Sequence, residues 1–576
     1  MNLIKKILLC AVSASLSLAS ASSFAVDAGA LMKQENDLQN SLSLPNSIPA
    51  NLLDLQRPEQ QQGNGLTIQV KRFVLKGEIA LVPEEKLQDL VADLLGKPLS
   101  FQQIQSAAER INRYYNEQGY FLAQAIIPKQ EVVDGTVVIF ITEGKLDQEE
   151  PIKINPSKLR LNENTVKKYI NNALSRNLKQ SSLERGILNL NDNPGISASA
   201  SLEPGKAPGT TRIVLDVTEG PLFEGSVVAD NFGSRYTGSD RFSTNLSLNN
   251  PLGYGDSLNF SWVTAVEQTF DMLKVGYGFP IGRSGLRANV AYTDLFFKLG
   301  KTLRPLNGLG HSRNWSYGLS YPIYRSAETA LIMTAGYDWK ASYNEMLGAG
   351  TSDKRTNVFN GGLTLSHVDK LLGGGFTQAQ LAHVAGDLDL SRNATNYDAD
   401  QGDGGARTNG SYQKSSFQLV RIQRGTERLS FQGLLAGQYA QTNLDGGEKF
   451  MLGGPTGVRA YPAGEASGDH GYRFSVDAKY ALATGTRIGD IVLSTFYDYG
   501  KIWQYENTSL INGLTNNSYD LAGWGLGLDV VASGKYTLKA GWAKAIGSNP
   551  GQSADGNNSD GLSHQSRFWL MGNVSF

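Results

Sequence analysis

Residues 221–576 alternate between apolar and polar positions with a period of two, and breaks rich in glycine, asparagine, aspartate and serine interrupt the alternation. The clearest stretch is 472–482, where every second residue is apolar and the intervening positions include Arg473, Asp477 and Lys479. Because successive side chains of a strand point to opposite faces, the pattern predicts strands with one apolar face and one charged face. A charged face of this kind suits a water-filled lumen, so we predict that these three charges face inward.

The number of such segments identifies the kind of β-protein. About 16 segments fill residues 221–576, each near the 9–11 residues that a tilted strand needs to cross a bilayer. A globular sandwich shows the same alternation in single strands, so the prediction depends on the number and continuity of the segments. Closure of the sheet removes unpaired edges, which lipid does not tolerate. We therefore predict an all-β membrane domain, an antiparallel outer-membrane β-barrel of about 16 strands.

The last segment of the chain has the character of a final barrel strand. Its four apolar residues lie on one predicted face: Phe568, Leu570, Val574 and Phe576. A terminal aromatic residue on a final strand is typical of the signal that directs outer-membrane assembly. We therefore expect outer-membrane lipid and the outer-membrane assembly machinery among the partners.

Residues 67–220 have a different texture, with helical spacing and an internal repeat. Thr142-Glu143-Gly144 and Thr218-Glu219-Gly220 each end a unit of about 75 residues, and each unit reads strand, helix, helix, strand, strand. Two helices on one face of a small mixed sheet make an α+β domain. We predict two such domains, at residues 67–147 and 148–220.

The first unit shows the pattern in most detail. One predicted helix face combines Leu87, Leu90, Val91 and Leu94, and a second combines Phe101, Ile104, Ala108, Ile111 and Tyr115. A strand is predicted to begin with Ile68, Val70 and Phe73, and Asp134-Gly135 is a hairpin-turn sequence before the last strand.

The first residues predict the route of the chain. Lys5 and Lys6 precede an apolar stretch at 7–18, which is too short to span a bilayer, and Ser23-Phe24-Ala25 offers a cleavage site. Residues 1–25 are therefore predicted to be a secretory signal peptide. It contains the only cysteine, so the mature chain is predicted to have no thiol. Residues 26–66 are predicted to hold a short helix at 28–38 and a linker, with a disordered tail as the alternative.

Composition and motifs argue against several functions. The net charge of -1 gives no basic excess for nucleic acid. Mean hydropathy is -0.28, a value that a barrel with a polar lumen shares with soluble proteins. Leu295 stands where a P-loop ending at Gly300-Lys301-Thr302 needs glycine, the histidines lack metal-ligand spacing, and no Gly-x-Ser-x-Gly elbow occurs. We predict no catalytic residue, no metal site and no cofactor, and hence no enzyme.

One pair of residues stands out from this background. A long loop at about 442–470 is rich in glycine and proline, and its tip carries Arg459 beside Tyr461. In a later strand, the alternation places Phe496, Asp498 and Gly500 on the inner face. If the loop folds inward, the guanidinium and the carboxylate can form a charge-assisted fork that fixes it. From spacing alone, both residues can equally be solvated.

At these residues the chain resembles the TpsB transporters of two-partner secretion, haemolysin and adhesin secretion/activation proteins of the ShlB, FhaC, HecB and CdiB types. The resemblance covers nearly the whole mature chain and implies an N-terminal plug helix, two POTRA domains and a 16-stranded barrel, in the observed order. The loop tip resembles the family's Val-Arg-Gly-Tyr, with Val458, Arg459 and Tyr461 matching and Ala460 replacing glycine. The Phe-x-Asp-x-Gly strand motif matches fully. The resemblance implies a lock between Arg459 and Asp498 inside the barrel.

The implied function is export of an unfolded TpsA-type exoprotein, recognised by its N-terminal secretion domain, without nucleotide hydrolysis. The cargo class stays open among a haemolysin, an adhesin and a contact-dependent inhibition toxin. The expected location is the outer membrane, with the POTRA domains in the periplasm and the transporter a monomer. The alternatives are an outer-membrane insertase of the same superfamily, which usually carries more POTRA repeats, a porin-like channel, and a membrane phospholipase.

Overall fold

The computed structural model describes residues 26–45, 67–155, 158–174, 179–207 and 210–576. The predicted signal peptide and the predicted linker from residue 46 to 66 lie outside the described residues. The α-helices are α1 (Ala28–Leu42), α2 (Glu84–Asp89), α3 (Phe101–Glu117), α4 (Glu163–Leu174), α5 (Gln180–Asn191) and α6 (Ala394–Gln401). Short 3-10 turns occur at Ala92–Leu94, Lys301–Leu306, Leu371–Gly373, Gly446–Glu448 and Thr508–Leu510.

The strands before the barrel are short. They are β1 (Thr67–Gln69), β2 (Arg72–Gly77), β3 (Pro98–Ser100), β4 (Gln124–Ile126), β5 (Thr136–Thr142), β6 (Lys145–Leu146), β7 (Ile152–Ile154), β8 (Ile196–Pro204) and β9 (Thr210–Glu219). In the first unit β5 is central, parallel to β2 and antiparallel to β4, while β1 pairs with β3. In the second unit β9 is central, with β6 and β7 parallel to it and β8 antiparallel.

Local sequence explains helix α3 and its neighbouring turn. Ser100 and Gln103 form a reciprocal capping box at its start, and Gly119, at φ 86°, follows its end. Asp134 and Gly135 both have positive φ, at 51° and 72°, which is the backbone of a type I′ hairpin turn. The hairpin turn predicted at these two residues is confirmed.

Three details of the first unit differ from the prediction. Phe101 is 62% exposed, because it lies at the first position of α3, outside the face that packs on the sheet. The helix predicted around Leu87 ends early, and the chain continues as the 3-10 turn at Ala92–Leu94. The predicted first strand is interrupted between β1 and β2, where Val70 turns into the core.

The barrel is closed and antiparallel, and the prediction of 16 strands is confirmed. Its strands in order are β10 (Phe223–Asp230), β11 (Arg241–Asn249), β12 (Ser257–Ala265), β13 (Phe270–Pro280), β14 (Arg287–Lys298), β15 (Leu309–Arg325), β16 (Thr329–Met346), β17 (Ala349–Asp369), β18 (Gly375–Asp389), β19 (Gly410–Arg424), β20 (Leu429–Ala440), β23 (His470–Thr486), β24 (Gly489–Trp503), β25 (Ser518–Ala532), β26 (Tyr536–Ile546) and β27 (Ser566–Ser575). The short pair β21 (Phe450–Met451) and β22 (Ser467–Gly468) lies in the loop between β20 and β23.

Barrel closure depends on the pairing of the first and last strands. The register of β10 with β27 runs from Ser226 opposite Ser575 to Asp230 opposite Met571. Phe576 continues this ladder, exchanging backbone hydrogen bonds with Gly225, and its ring lies 6.3 Å from that of Phe223. No sheet edge is left open in the wall, which is the condition for strands to cross lipid.

The second α+β unit lies against the turns at one end of the barrel. Arg325 of β15 bonds Asp192 at 2.8 Å, Arg185 donates to the carbonyl of Pro322 at 3.1 Å, and Asn250 donates to Glu219 at 2.7 Å. These turns follow β11 and β15, so they belong to the end of the barrel at which β10 begins. The α+β units and this set of turns therefore share one side of the membrane.

Helix α1 lies inside the barrel and runs four residues further than the sequence predicted, to Leu42. At its start, Asp27 caps the helix and the backbone N–H of Ala28 donates to Asn344 of β16 at 3.0 Å. In its middle, Glu35 pairs with Arg241 of β11 at 2.5 Å. At 15 residues the helix is about 22 Å long.

The start of the second α+β unit is held to its β8–β9 hairpin by a buried carboxylate. Asp147 accepts hydrogen bonds from the backbone N–H groups of Glu149, Glu150, Lys206 and Ala207 and from the Thr210 hydroxyl. The bonds from Glu150 and Ala207 are the main reason that the pKa of this carboxyl lies well below its ordinary value.

We expect Asp147→Asn to loosen the second α+β unit at neutral pH, because a neutral amide accepts these N–H groups more weakly. The depressed pKa stabilises the fold above the unfolded-chain value of about 3.9, and this contribution is lost as pH falls below that value. The protection of the β8 and β9 amides, taken relative to the intrinsic exchange rate at each pH, should therefore fall from about pH 5 to pH 3 in the native chain and change less in the variant. Equal pH dependence in the two proteins would contradict the role of Asp147.

Candidate functional site

The loop between β20 and β23 folds back into the lumen from the end of the barrel opposite the α+β units. Its two flanks pair as β21 and β22, so the loop enters and leaves as a hairpin. Beyond them, the carbonyl of Leu452 accepts from the N–H of Val458 at 2.7 Å, and Gly454 takes φ 113°. The turn depends on this glycine, and it directs Arg459, the residue after Val458, toward the inner wall.

Arg459 binds two aspartates of neighbouring strands. Its Nε and Nη2 donate to Asp498 of β24 at 2.9 and 2.7 Å, and its Nη1 and Nη2 donate to Asp477 of β23 at 2.9 and 3.2 Å. Its backbone N–H also donates to Asp498, at 3.0 Å. The guanidinium therefore makes a fork with each carboxylate, a geometry that lysine cannot reproduce.

The inner wall surrounds this arginine on its remaining sides. The ring centroid of Phe496 lies 3.4 Å from the guanidinium carbon, and the hydroxyl of Ser475 donates to Asp498 at 2.5 Å. The indole N–H of Trp569, on the last strand, donates to the carbonyl of Arg459 at 2.7 Å. The Asp498 side chain is only 1% exposed, so removing its cation would leave a buried charge unpaired.

The loop tip also builds a small apolar core against the wall. Leu452, Val458, Ala460 and Tyr461 of the loop are buried. They pack against wall residues Phe496, Ile502, Tyr519, Leu521 and Ala543. Gly500 leaves the space that the Leu452 side chain fills, since a Cβ there would lie 2.5 Å from it.

The replacement of glycine by Ala460 is matched by a glycine opposite. Ala460 is fully buried, and a Cβ at Gly523 of β25 would lie 2.6 Å from the Ala460 methyl group. Ala460 is not among the positive-φ residues, so an L-residue fits its backbone without strain. The extra methyl group is thus accommodated by the wall.

The other predicted residues lie where their alternation places them. Arg473 and Lys479 point into the lumen, Arg473 donating to the carbonyl of Thr456 at 2.5 Å and Lys479 to Gln432 at 2.6 Å. The four C-terminal apolar residues are exposed on the outer face of the last strand or just beyond it: Phe568, Leu570, Val574 and Phe576.

A second set of ion pairs, which the sequence analysis missed, connects the plug helix with the loop. Lys354 of β17 bonds Asp27 at 3.0 Å and Asp445 at 2.6 Å, so one ammonium holds the start of α1 and the start of the loop. Beside it, Glu448 of the loop pairs with Lys340 at 2.7 Å and Lys414 at 2.8 Å.

The signal for these lysines was present in the alternation. Lys340, Lys354 and Lys414 stand at lumen-facing positions of β16, β17 and β19, but none of them was singled out from the sequence. Lys354 binds Asp27 and Asp445, which are 418 positions apart in the sequence. No local sequence pattern could therefore predict that these two carboxylates share one lysine.

Two further features of the described part of the chain bear on its chemistry. Within it, no group of three or more His, Cys, Asp or Glu residues could hold a metal ion. Among the helices described, none is long and apolar enough to cross a membrane.

The fold and the filled lumen define a class of protein, the outer-membrane transporters that join periplasmic POTRA domains to a barrel. Residues 209–530 match the profile described as haemolysin secretion/activation protein ShlB/FhaC/HecB, and residues 68–144 match the POTRA domain of ShlB type. The chain belongs to the ShlB/FhaC/HecB family. It is a TpsB transporter that lies in the outer membrane, extends its POTRA domains into the periplasm and secretes a partner exoprotein of TpsA type.

Relatives of the chain agree with this assignment over most of their length. The heme/hemopexin transporter protein HuxB of Haemophilus influenzae strain 86-028NP is 27% identical over 473 residues, covering 81% of this chain and 82% of the relative. The outer membrane transporter CdiB of Dickeya dadantii is 22% identical over 456 residues, covering 77% and 78%.

Solved structures share the fold. CdiB from Escherichia coli superimposes with a TM-score of 0.70 at 19% identity, covering 95% of this chain and 98% of that one. The insertase alternative is represented by BamA from Haemophilus ducreyi, with a TM-score of 0.52 at 12% identity, covering 88% of this chain and 100% of that one. This likeness concerns the fold alone.

We expect Gly523→Ala to displace the loop tip, because its methyl group would overlap that of Ala460. Adding Ala460→Gly should restore the native position of the loop tip against the wall, since the second change removes the opposing methyl group. Hydrogen exchange of the Val458–Tyr461 amides should rise about tenfold in the single variant, and the double variant should return close to the native rate. Independent effects of the two substitutions would show that the methyl group of Ala460 does not rest on Gly523.

Proposed function

We propose that the exoprotein passes unfolded through the barrel lumen, and that α1 and the inward loop are reversible closures of that path. One observation carries the proposal: both elements are held by ion pairs with the wall, at Arg459 for the loop and at Lys354 for loop and helix together. Polar contacts of this kind can be exchanged for water when an element moves. The apolar packing at the loop tip and along α1 adds to the free energy that opening costs.

In this proposal the α+β units capture the exoprotein before it reaches the barrel. The sheet of the first unit ends at β2 and β4. The outer edge of β4 is covered, since the backbone N–H and carbonyl of Ala125 bond the side chain of Asn112, so β2 offers the unpaired edge. A strand of the exoprotein's N-terminal secretion domain adds to such an edge through backbone hydrogen bonds. The second unit, which is bonded to the barrel turns, then holds the captured chain beside the barrel opening.

The free energy for export comes from the exoprotein itself. Folding outside the cell makes return through the lumen unfavourable, even at the marginal stability of about 5–15 kcal/mol that is typical of folded domains. No nucleotide hydrolysis and no catalytic residue take part, so the chain acts as a transporter only. The transporter works as a monomer, contacts lipid through the outer face of the barrel, and is inserted by the outer-membrane assembly machinery through its last strand.

The cargo belongs to the TpsA class of exoproteins. Identity to HuxB exceeds identity to CdiB, so an exoprotein concerned with heme or hemopexin is the first candidate to test, ahead of an adhesin, a haemolysin or a contact-dependent inhibition toxin. No observation favours the insertase or the porin.

Arg459→Ala should cut export of the exoprotein while the barrel still inserts, because the variant loses both carboxylate forks and frees the loop. A loss of about 3 kcal/mol at the loop seat is expected for a broken, largely buried ion pair. Export is measured as exoprotein in the culture medium, and insertion as heat-modifiable migration on gels. Lys479→Ala, which removes a lumen cation bonded only to the wall, is the matched control. Normal export by Arg459→Ala would remove the lock from the mechanism.

Deletion of residues 67–144 should abolish capture of the exoprotein, because it removes the first α+β unit and the free edge of β2. The measurement is a pull-down of the exoprotein's N-terminal secretion domain with detergent-solubilised transporter. Undiminished binding by the deleted protein would place capture elsewhere in the chain.

A further inference from the structure

An apolar patch lines the inner wall near the periplasmic end of the barrel, on strands β17 to β20. We call it the mouth cradle, and it consists of Val368, Phe376, Val420, Ile422 and Leu434. Phe376, Val420 and Ile422 are buried, and Val420 has no exposed surface. Barrel lumens are ordinarily polar, and further along the same strands the inner face carries Thr364, Gln378 and Gln418. An apolar patch there needs an apolar occupant.

The occupant in this structure is Leu44, which packs against the mouth cradle. It lies two residues beyond the end of α1, outside any helix, and Pro45 follows it. Helix α1 itself is held by ion pairs at Asp27 and Glu35 and by the packing of Ala28 and Met32 on apolar residues of β12, β13 and β14. Beyond the helix, the contact at the mouth cradle is made by one aliphatic side chain on non-helical backbone. That last contact is one that any unfolded polypeptide can imitate.

The turn beside the mouth cradle displays two more leucines to the periplasm. Leu371 and Leu372 are 65% and 78% exposed, and Leu372 has φ 49°, a conformation unfavourable for leucine. The turn is nevertheless braced. The side-chain amide of Gln423 donates to the carbonyls of both leucines, at 3.0 and 3.1 Å, and Arg421 binds Asp369.

These leucines lie at the rim of the barrel, beyond a polar cluster on the outer face of β17, β18 and β19. In that cluster Arg421 bonds Asp369 and Thr377, and the last exposed apolar residues before it on the same strands are Leu365 and Leu419. The four steps from Leu365 to Asp369 span about 13 Å of strand. On the adjacent β20 the outer face stays apolar as far as Phe431, which lies opposite Gln423. The turn extends beyond the polar cluster, and its leucines lie at the rim next to Phe376 of the mouth cradle.

We propose that the mouth cradle is the first binding site of the exoprotein within the barrel. It takes an extended segment with an aliphatic side chain, which Leu371 and Leu372 guide inward, and Leu44 occupies the site until that segment displaces it. The inference rests on the proposed export function and adds the chemistry that this site recognises. It also supplies the coupling between arrival of the cargo and departure of the plug, because the two compete for one site.

The first test measures plug seating in planar bilayers with the full-length transporter. Leu44→Asn and Val420→Asn should each raise the open probability about tenfold, the value of one lost aliphatic contact. Thr364→Asn, on the same wall outside the mouth cradle, should leave it unchanged. Ile422→Asn provides a second cradle variant if Val420→Asn fails to show heat-modifiable migration.

The second test supplies the occupant in trans to the full-length Leu44→Asn protein, whose mouth cradle is vacated. A synthetic peptide of residues 38–46, added on the periplasmic side, should block the current about tenfold more strongly than the same peptide carrying Leu44→Asn. Adding Val420→Asn to the channel should remove the difference between the two peptides. Equal block by both peptides in the Leu44→Asn channel would overturn the proposal.

Export of the exoprotein separates a cargo site from a mere seat for the plug. Leu44→Asn should export at least as much as the native chain, while Val420→Asn should export about tenfold less, although both leak. Equal export by these two variants would show that the mouth cradle serves only the plug. Absence of export by the native chain itself would count against the proposed function instead, and the peptide experiment would still decide the cradle.

Discussion

The constraint on which the structure depends is that lipid offers no partner to backbone N–H and C=O groups. The pairing of β10 with β27 satisfies it, because that ladder converts a sheet with two edges into a wall with none. A closed wall of 16 strands also encloses more space than its own side chains can fill. The need for an intact wall thus creates the lumen, and with it the need for something to close the lumen.

The elements that close the lumen are held by charges shared between them and the wall. One guanidinium, of Arg459, joins two strands to the loop, and one ammonium, of Lys354, joins a strand to both the loop and the plug helix. Such contacts specify position strongly, since an unpaired buried charge is costly, yet they require water rather than a new core when they open. Apolar packing adds to these charges at the loop tip and along α1. At the mouth cradle, the aliphatic contact can be taken over by an aliphatic side chain of the cargo.

Much of this arrangement was readable from local sequence. Period-two alternation predicted the barrel wall and the inward direction of Asp477 and Asp498, because strand geometry alone decides which way a side chain points. Asp134-Gly135 predicted its turn, since few residue pairs tolerate positive φ at both positions. Helical spacing was less reliable at element ends, where Phe101 sits at the first position of its helix and escapes the core.

The sequence by itself determined which residues face the lumen, which segments repeat, and that an arginine-bearing loop stands among the strands. Only the tertiary structure decided which residues contact each other. Arg459 binds Asp477 as well as Asp498, and Lys354 binds both Asp27 and Asp445. Leu44 packs against the mouth cradle. The physical reason is that local rules fix direction, whereas partnership across a lumen depends on closure of the barrel, which brings together residues hundreds of positions apart.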